Sequence, residues 1–198
     1  VSKSYQPAQL ILASSSAFRR GLLEQLDVPF VVDPPDIDET ALPGEDAPSL
    51  VTRLAVEKAQ TVKRRHPEAL IIGSDQVAVH GGVITGKPGD RETAIGQLLA
   101  ASGKTVQLYT GLALVNASSV ALHSRVISYE VTYRVLNEDL IKRYLNREQP
   151  YNCCGSLRAD GLGIALLTRM VGDDPSALIG LPLIALVELL GKENYRVV

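Results

Sequence analysis

Apolar positions in this chain alternate between blocks of strand character and blocks of helical character. "LILA" (10–13) and "ALIIGSD" (69–75) are short runs that predict buried strands, the latter ending on Asp75, and "PFVV", running up to Asp33, predicts another strand. Between them the spacing predicts a helix from about Ala17 to Leu26 and a longer one from near Pro48 to about Arg65. The opening is therefore β-α-β. "DPPDIDETALPGEDAP" (33–48) fits neither period and has the length of loop usually kept for function.

Beyond Asp75, "QVAVHGGVITGKPG" reads as a hairpin turning at Gly81-Gly82, and Asp90 caps a helix that stops near Gly103. Two long strands follow, "TVQLYTGLALVN" (105–116) and "VALHSRVISYEVTYRVL" (120–136), separated by the polar "ASS". Strands of that length predict a twisted or bent ribbon. Asn137 caps "EDLIKRYLNRE"; the Gly-rich "CCGSLRADGLG" (153–163), a strand "IALL" (164–167) and a helix from near Pro182 complete the order. There is no internal repeat or low-complexity linker. The expected fold is α/β: an elongated, mixed, twisted β-sheet flanked by helices, in one domain over 1–198 or two lobes around a central cleft.

Composition narrows what such a fold does. The chain has 198 residues, 45% of them hydrophobic, enough for a core without metals or disulfides. Twenty basic and 22 acidic side chains leave a net charge of -2, so no global field favours nucleic acid or an anionic membrane. Any anion site must be local. The longest apolar runs, such as "GLPLIALVELLG", fall short of the roughly 20 residues of a membrane span, and no signal peptide precedes the first strand, so a cytoplasmic protein is expected. The two adjacent cysteines, Cys153 and Cys154, suit a reducing compartment, and the three histidines show no ligand spacing.

Two cations break the helical pattern. On a wheel of about 100° per residue, Leu22, Leu26 and Leu23 of the first helix lie at roughly 0°, 40° and 100°, with Arg19 inside that stripe at roughly 60° and Arg20 on its rim. Arg19 also sits in the first turn, where a cation opposes the helix dipole unless an anion is at hand. Three serines, 14 to 16, precede it, a composition suited to holding an anion between strand and helix. In the second helix, Lys58 falls among Leu50, Leu54, Ala55 and Val62. Asp75 at a strand end, Lys87 in "TGKPG", and Asp36, Asp38 and Glu39 in the long loop supply further charge. Arg19, Lys58, Lys87, a serine nest and two usable carboxylates, Asp75 and Glu39, describe a polyphosphate site with a divalent metal. No "GxxxxGK[ST]" or "GxGxxG" places it in the usual nucleotide folds.

The blocks "LILASSSAFRRGLLEQL", "DIDET", "LAVEKA", "IIGSDQVA", "TGKP", "YTGLAL", "CCGSLRADGLG" and "GDDPSALIGLPL" resemble, in order and spacing, the Maf family of nucleoside triphosphate pyrophosphatases. The resemblance implies a fold related to inosine triphosphate pyrophosphatases, a homodimer, a cytoplasmic location, and dependence on Mg²⁺, with Mn²⁺ or Co²⁺ as alternatives. It makes Asp75 the catalytic residue and a metal ligand with Glu39, and places Ser14, Arg19, Lys58 and Lys87 on the phosphates. Three positions set the base in the family: typically Trp, Gln and Glu where 7-methyl-GTP is hydrolysed, and Arg, Thr and Gln where dTTP and UTP are. Here they are Phe18, Gln76 and Asp160. The expected reaction converts 7-methyl-GTP to 7-methyl-GMP and diphosphate, clearing modified nucleotides from the pool. N7-methylation makes guanine cationic, which favours an aromatic face and a nearby carboxylate. A dTTP/UTP pyrophosphatase and a non-catalytic nucleotide-binding regulator of septation are the alternatives.

Overall fold

The computed structural model describes residues 8–119 and 121–198. The segment before the first strand and Val120, where the second long strand was expected to begin, lie outside the described residues. Among the described residues, seven strands, β1 (Leu10–Ala13), β2 (Phe30–Val32), β3 (Leu70–His80), β4 (Val83–Thr85), β5 (Thr105–Asn116), β6 (Leu122–Tyr133) and β7 (Leu167–Val171), form one sheet in the order β2-β1-β3-β5-β6-β7, with β4 also paired to β3. β1 runs parallel to β2 and β3, and every other pairing is antiparallel. The sheet is mixed, as expected.

Among the described residues, six helices pack on it: α1 (Ala17–Glu24), α2 (Ala47–Lys63), α3 (Arg91–Ala101), α4 (Glu138–Glu148), α5 (Pro175–Ile179) and α6 (Leu183–Lys192). Side chains with free acceptors stop the first turns from fraying. Asp46 accepts from Ser49 N, Asp90 from Thr93 N and Asn137 from Leu140 N, each at 2.8 Å. α2 covers one face of β1, β3 and β5 through Ala55, Ala59 and Val62. α1 and α6 cover the opposite face through Leu22, Leu23, Leu186 and Leu190. α3, α4 and the late loop pack on the other half of the long strands, around Leu108, Val131 and Tyr133.

Two sequence expectations need correction. β3 does not end at Asp75 but continues to His80, because β5 pairs with it along its whole length, Leu70↔Asn116 to Val79↔Gln107. What ends near Asp75 is the parallel neighbour: β1 is last paired at Ala13↔Gly73, and β4 first pairs at Ala78↔Thr85. Ser74 to Val77 therefore have a strand on one side only. "IALL" is not a strand either. Residues Leu162–Leu166 form a 3₁₀ turn and β7 begins at Leu167, since Gly163 is held back against Arg158 O by its own N–H at 3.0 Å.

α2 lies unusually close to the sheet, and two glycines permit it. A Cβ on Gly73 would stand 2.0 Å from Ala55 O, and one on Gly111 2.1 Å from Val51 O. Both obstacles are backbone and cannot rotate away. The long loop between β2 and α2 is tied down as well. Asp33 holds Arg65 and His66 at its start, and Glu45 takes two 2.7 Å hydrogen bonds from the Arg53 guanidinium at its end. Arg53 also donates to Thr40 O.

Gly111→Ala is expected to lower stability by about 3 kcal/mol or more, the upper range for overpacking, because α2 must lift off the sheet. Gly96→Ala, in open space on α3, should instead gain about 0.5–1 kcal/mol. Urea midpoints at unchanged slope check both signs. The Arg53 hydrogen bonds hold Glu45 at about 2 rather than the usual 4.5. Between those values the folded chain binds fewer protons than the unfolded one, so stability rises with pH there. Melting curves should therefore show Glu45→Gln less stable than wild type at pH 7, with the gap complete above about pH 4.5 and closing as pH falls through about 2.

Candidate functional site

The gap beside Ser74–Val77 opens into a cleft of about 240 Å³ lined by α1, α2, β3, α5, the β4–α3 connection and the late loop. Because neighbouring side chains of a strand point to opposite faces, β3 contributes to the cleft from both sides. Asp75 faces α2, and Gln76 faces α5.

On the α2 side, Lys58 is 5% exposed and its Nζ lies 2.7 Å from Asp75 Oδ1 and 2.6 Å from Glu39 Oε1. The cation in the apolar stripe is thus not a side chain reaching for water. It is a buried ammonium held by two carboxylates from a strand and a loop. Burial pushes the Glu39 carboxyl up, but the hydrogen bond and charge of Lys58, with Lys87 and Arg19 behind them, bring it below its usual range. Asp38, its neighbour, is a turn residue instead, accepting from Thr40 N at 2.9 Å.

The serine nest divides its work. Ser16 caps α1 and accepts from Arg19 N, while Ser14, buried, accepts from Ser16 N at 3.1 Å and from Arg19 Nη1 at 3.5 Å. Ser15 is exposed. Arg19 is buried, and its Nε donates to Gly180 O at 2.7 Å, so a carbonyl at the end of α5 offsets part of its unfavourable place at a helix start. Burial also draws its guanidinium below the usual arginine range, against the pull of Asp75 and Glu39. Lys87 reaches the cleft from the connection after β4 and is exposed.

The remaining predicted residues gather at the other end. Phe18 lines the cleft, half-buried, and belongs to none of the apolar clusters of the described residues. Asp160 lines it too. Gln76 Nε2 donates to Ala177 O at 2.7 Å, Leu178 O at 3.2 Å and Thr110 Oγ1 at 3.0 Å. Its donors are committed to the protein, which leaves the Oε1 acceptor for a ligand. Of the nine residues expected at the site, seven line one cleft, and Ser14 and Lys58 contact its walls through Arg19 and Asp75. The sequence reading missed Arg158, whose guanidinium carbon lies 5.4 Å from the Phe18 ring centre, and Glu148, which binds it. Its signal would have been a cation two residues before Asp160.

No group of three or more His, Cys, Asp or Glu side chains converges as a metal cage among the described residues. Two carboxylates do converge, Asp75 and Glu39. Their hard oxygen donors fit Mg²⁺, which takes one or two carboxylates and completes its shell with water and substrate phosphate. No helix is long and apolar enough to cross a membrane among the described residues.

The family model described as "Maf-like protein" matches residues 9–193. A curated relative named 7-methyl-GTP pyrophosphatase from Nitrosococcus oceani is 54% identical over 191 residues, 96% of each chain. Proteins of the same name from Nitrosospira multiformis and Aromatoleum aromaticum are each 50% identical, over 96% and 94% of this chain and 96% of their own. Among solved structures, a HAM1 protein from Coxiella burnetii aligns over 64% of this chain and 73% of its own, with a TM-score of 0.45 and 18% identity, too slight a likeness to bear on the fold. The family match runs from before β1 to past α6 and takes in every residue lining the cleft; the chain belongs to the Maf family.

Proposed function

We infer that the chain is a nucleoside triphosphate pyrophosphatase that hydrolyses 7-methyl-GTP to 7-methyl-GMP and diphosphate. One observation carries the reaction type: a carboxylate, Asp75, is held by a buried ammonium at the wall of a cleft that also contains Arg19 and Lys87. Water adds across the α–β anhydride, and Asp75 accepts the proton that the water loses. Arg19, Lys58 and Lys87 stabilise the negative charge that collects on the departing diphosphate, and Ser14 donates to a phosphate oxygen. A divalent cation held by Asp75 and Glu39 would polarise the water and the phosphoryl oxygens. Mg²⁺ is the proposed ion, with Mn²⁺ or Co²⁺ able to replace it.

Base preference is argued from the other end of the cleft. Phe18 offers an aromatic face to a cationic ring. Asp160 accepts from the N1–H and N2–H of guanine, a pair of donors that no pyrimidine presents, and Gln76 Oε1 adds a third acceptor. The names of the relatives support the methylated purine over dTTP and UTP. A site with nucleophile activation and leaving-group charge both provided for supports turnover over a purely regulatory role. A cytoplasmic homodimer remains part of the proposal.

Diphosphate release with Mg²⁺ across GTP, 7-methyl-GTP, dTTP, UTP and CTP should give 7-methyl-GTP the highest kcat/KM; a maximum at dTTP or UTP would overturn the base assignment. Asp75→Asn, which keeps the side-chain shape and leaves Lys58 paired to Glu39, should lower kcat by at least about 10²-fold with an intact melting transition. Turnover near the wild-type rate would move the chemistry to another residue.

A further inference from the structure

Among the described residues, Arg158 is the one charged side chain lining the cleft that neither the reaction nor base binding has yet given a role. Its Nη1 donates to Glu148 Oε1 at 2.7 Å, and its Nε, 3.5 Å from Asp160 Oδ1, is buried and makes no hydrogen bond. The guanidinium also lies over the Phe18 ring at 5.4 Å from its centre. Phe18 and Asp160 are the groups assigned to the base, and both already hold a cation. A base cannot share that face, since two stacked contacts at about 3.5 Å each need about 7 Å between ring and guanidinium.

We propose, on the reading that the substrate carries 7-methylguanine, that Arg158 is a resident competitor of the base: its guanidinium fills the seat between Phe18 and Asp160 and leaves when the nucleotide binds. Once vacated, the seat favours a methylated ring. A cationic base restores both the cation–π contact and the charge opposite Asp160, so one cation replaces another. A neutral guanine restores neither in full. Arg158 has somewhere to go, because its side chain is 39% exposed and Glu148 can keep hold of it as it turns. Glu148 stays in place through a second bond, from Leu162 N to Oε2 at 2.6 Å, which fixes the loop carrying Asp160. Arg158 therefore acts by being displaced: its departure costs every base the same, so it sets how tightly the seat is filled, while Phe18 and Asp160 set which base is preferred.

Removing the guanidinium alone would strand Glu148, so the test uses the Glu148→Gln background, where an amide oxygen still accepts from Leu162 N. Binding of 7-methyl-GMP and of GMP to the full chain is measured by calorimetry without metal. Adding Arg158→Ala to Glu148→Gln should tighten 7-methyl-GMP and GMP by the same factor, about five- to tenfold, the size of one cation–π contact plus a half-exposed ion pair, and leave their ratio unchanged. Arg158→Gln alone, which keeps a donor for Glu148, should move both in the same directions and serves if the double variant does not fold. Unchanged or weaker binding of 7-methyl-GMP would overturn the proposal and make Arg158 a contact of the base or a packing group. Wild-type protein separates the two levels of inference. If it binds both monophosphates equally, the substrate reading fails and takes this proposal with it; if it prefers the methylated one while Arg158 removal brings no gain, only the proposal fails.

Discussion

A buried ammonium cannot stand alone, and the architecture of this cleft follows from where Lys58 finds its counter-charges. Losing one partner of a buried ion pair costs about 3–5 kcal/mol, because the other charge is left without water or protein to solvate it. Lys58 has two partners of different kinds. Asp75 is buried on a strand fixed by pairing along its length. Glu39 is 54% exposed on a loop. The fixed pair with Asp75 carries most of the electrostatic weight, and the looser Glu39 is the partner that can turn toward a ligand. That geometry exists only because α2 rests on the backbone of β3 and β5 at Gly73 and Gly111. One methyl group between them would carry the Lys58 stem away from Asp75.

The interruption in the sheet makes the cleft. Where β1 has stopped and β4 has not started, a single strand presents Asp75 and Gln76 to one space from its two faces. The α5 segment closes one side through its carbonyls: Gly180 O accepts from both Arg19 Nε and Ser74 Oγ, and Ala177 O from both Gln76 and Thr110. These bonds tie Arg19, the proposed phosphate contact, and Gln76, the proposed base contact, to the same short helix. The two ends of the cleft are thus held in a fixed relation.

What was legible in the sequence was whatever broke a pattern. Arg19 and Lys58 stood out because a charge in an apolar stripe must have a partner, and both have one. Caps at Asp90 and Asn137 were legible because capping is local. The path of β3 beyond Asp75 was not, because "SDQ" interrupts the apolar run and only pairing with β5, more than thirty residues on, keeps it extended. The 3₁₀ turn read as a strand was apolar for a tertiary reason, since Leu166 packs among Leu108, Val131 and Tyr133. Arg158 was invisible for the same kind of reason: its contact with Phe18 spans 140 positions, and no local rule links them.

The energetic division within the cleft determines which end can discriminate. Every nucleoside triphosphate carries the same phosphates, so the contacts proposed for Ser14, Arg19, Lys58 and Lys87 add to binding equally and cancel when two substrates are compared. Discrimination must come from the base end, where the groups are half-exposed and singly worth about 1 kcal/mol. A cluster of Glu148, Asp160 and Arg158 carries a net charge of -1 around one aromatic ring. Such a cluster distinguishes ring charge better than ring shape, because its charge acts over several ångströms while a phenyl face accepts any planar base. Selectivity for a cationic purine is thus what these residues can achieve without a deep, shape-fitted pocket.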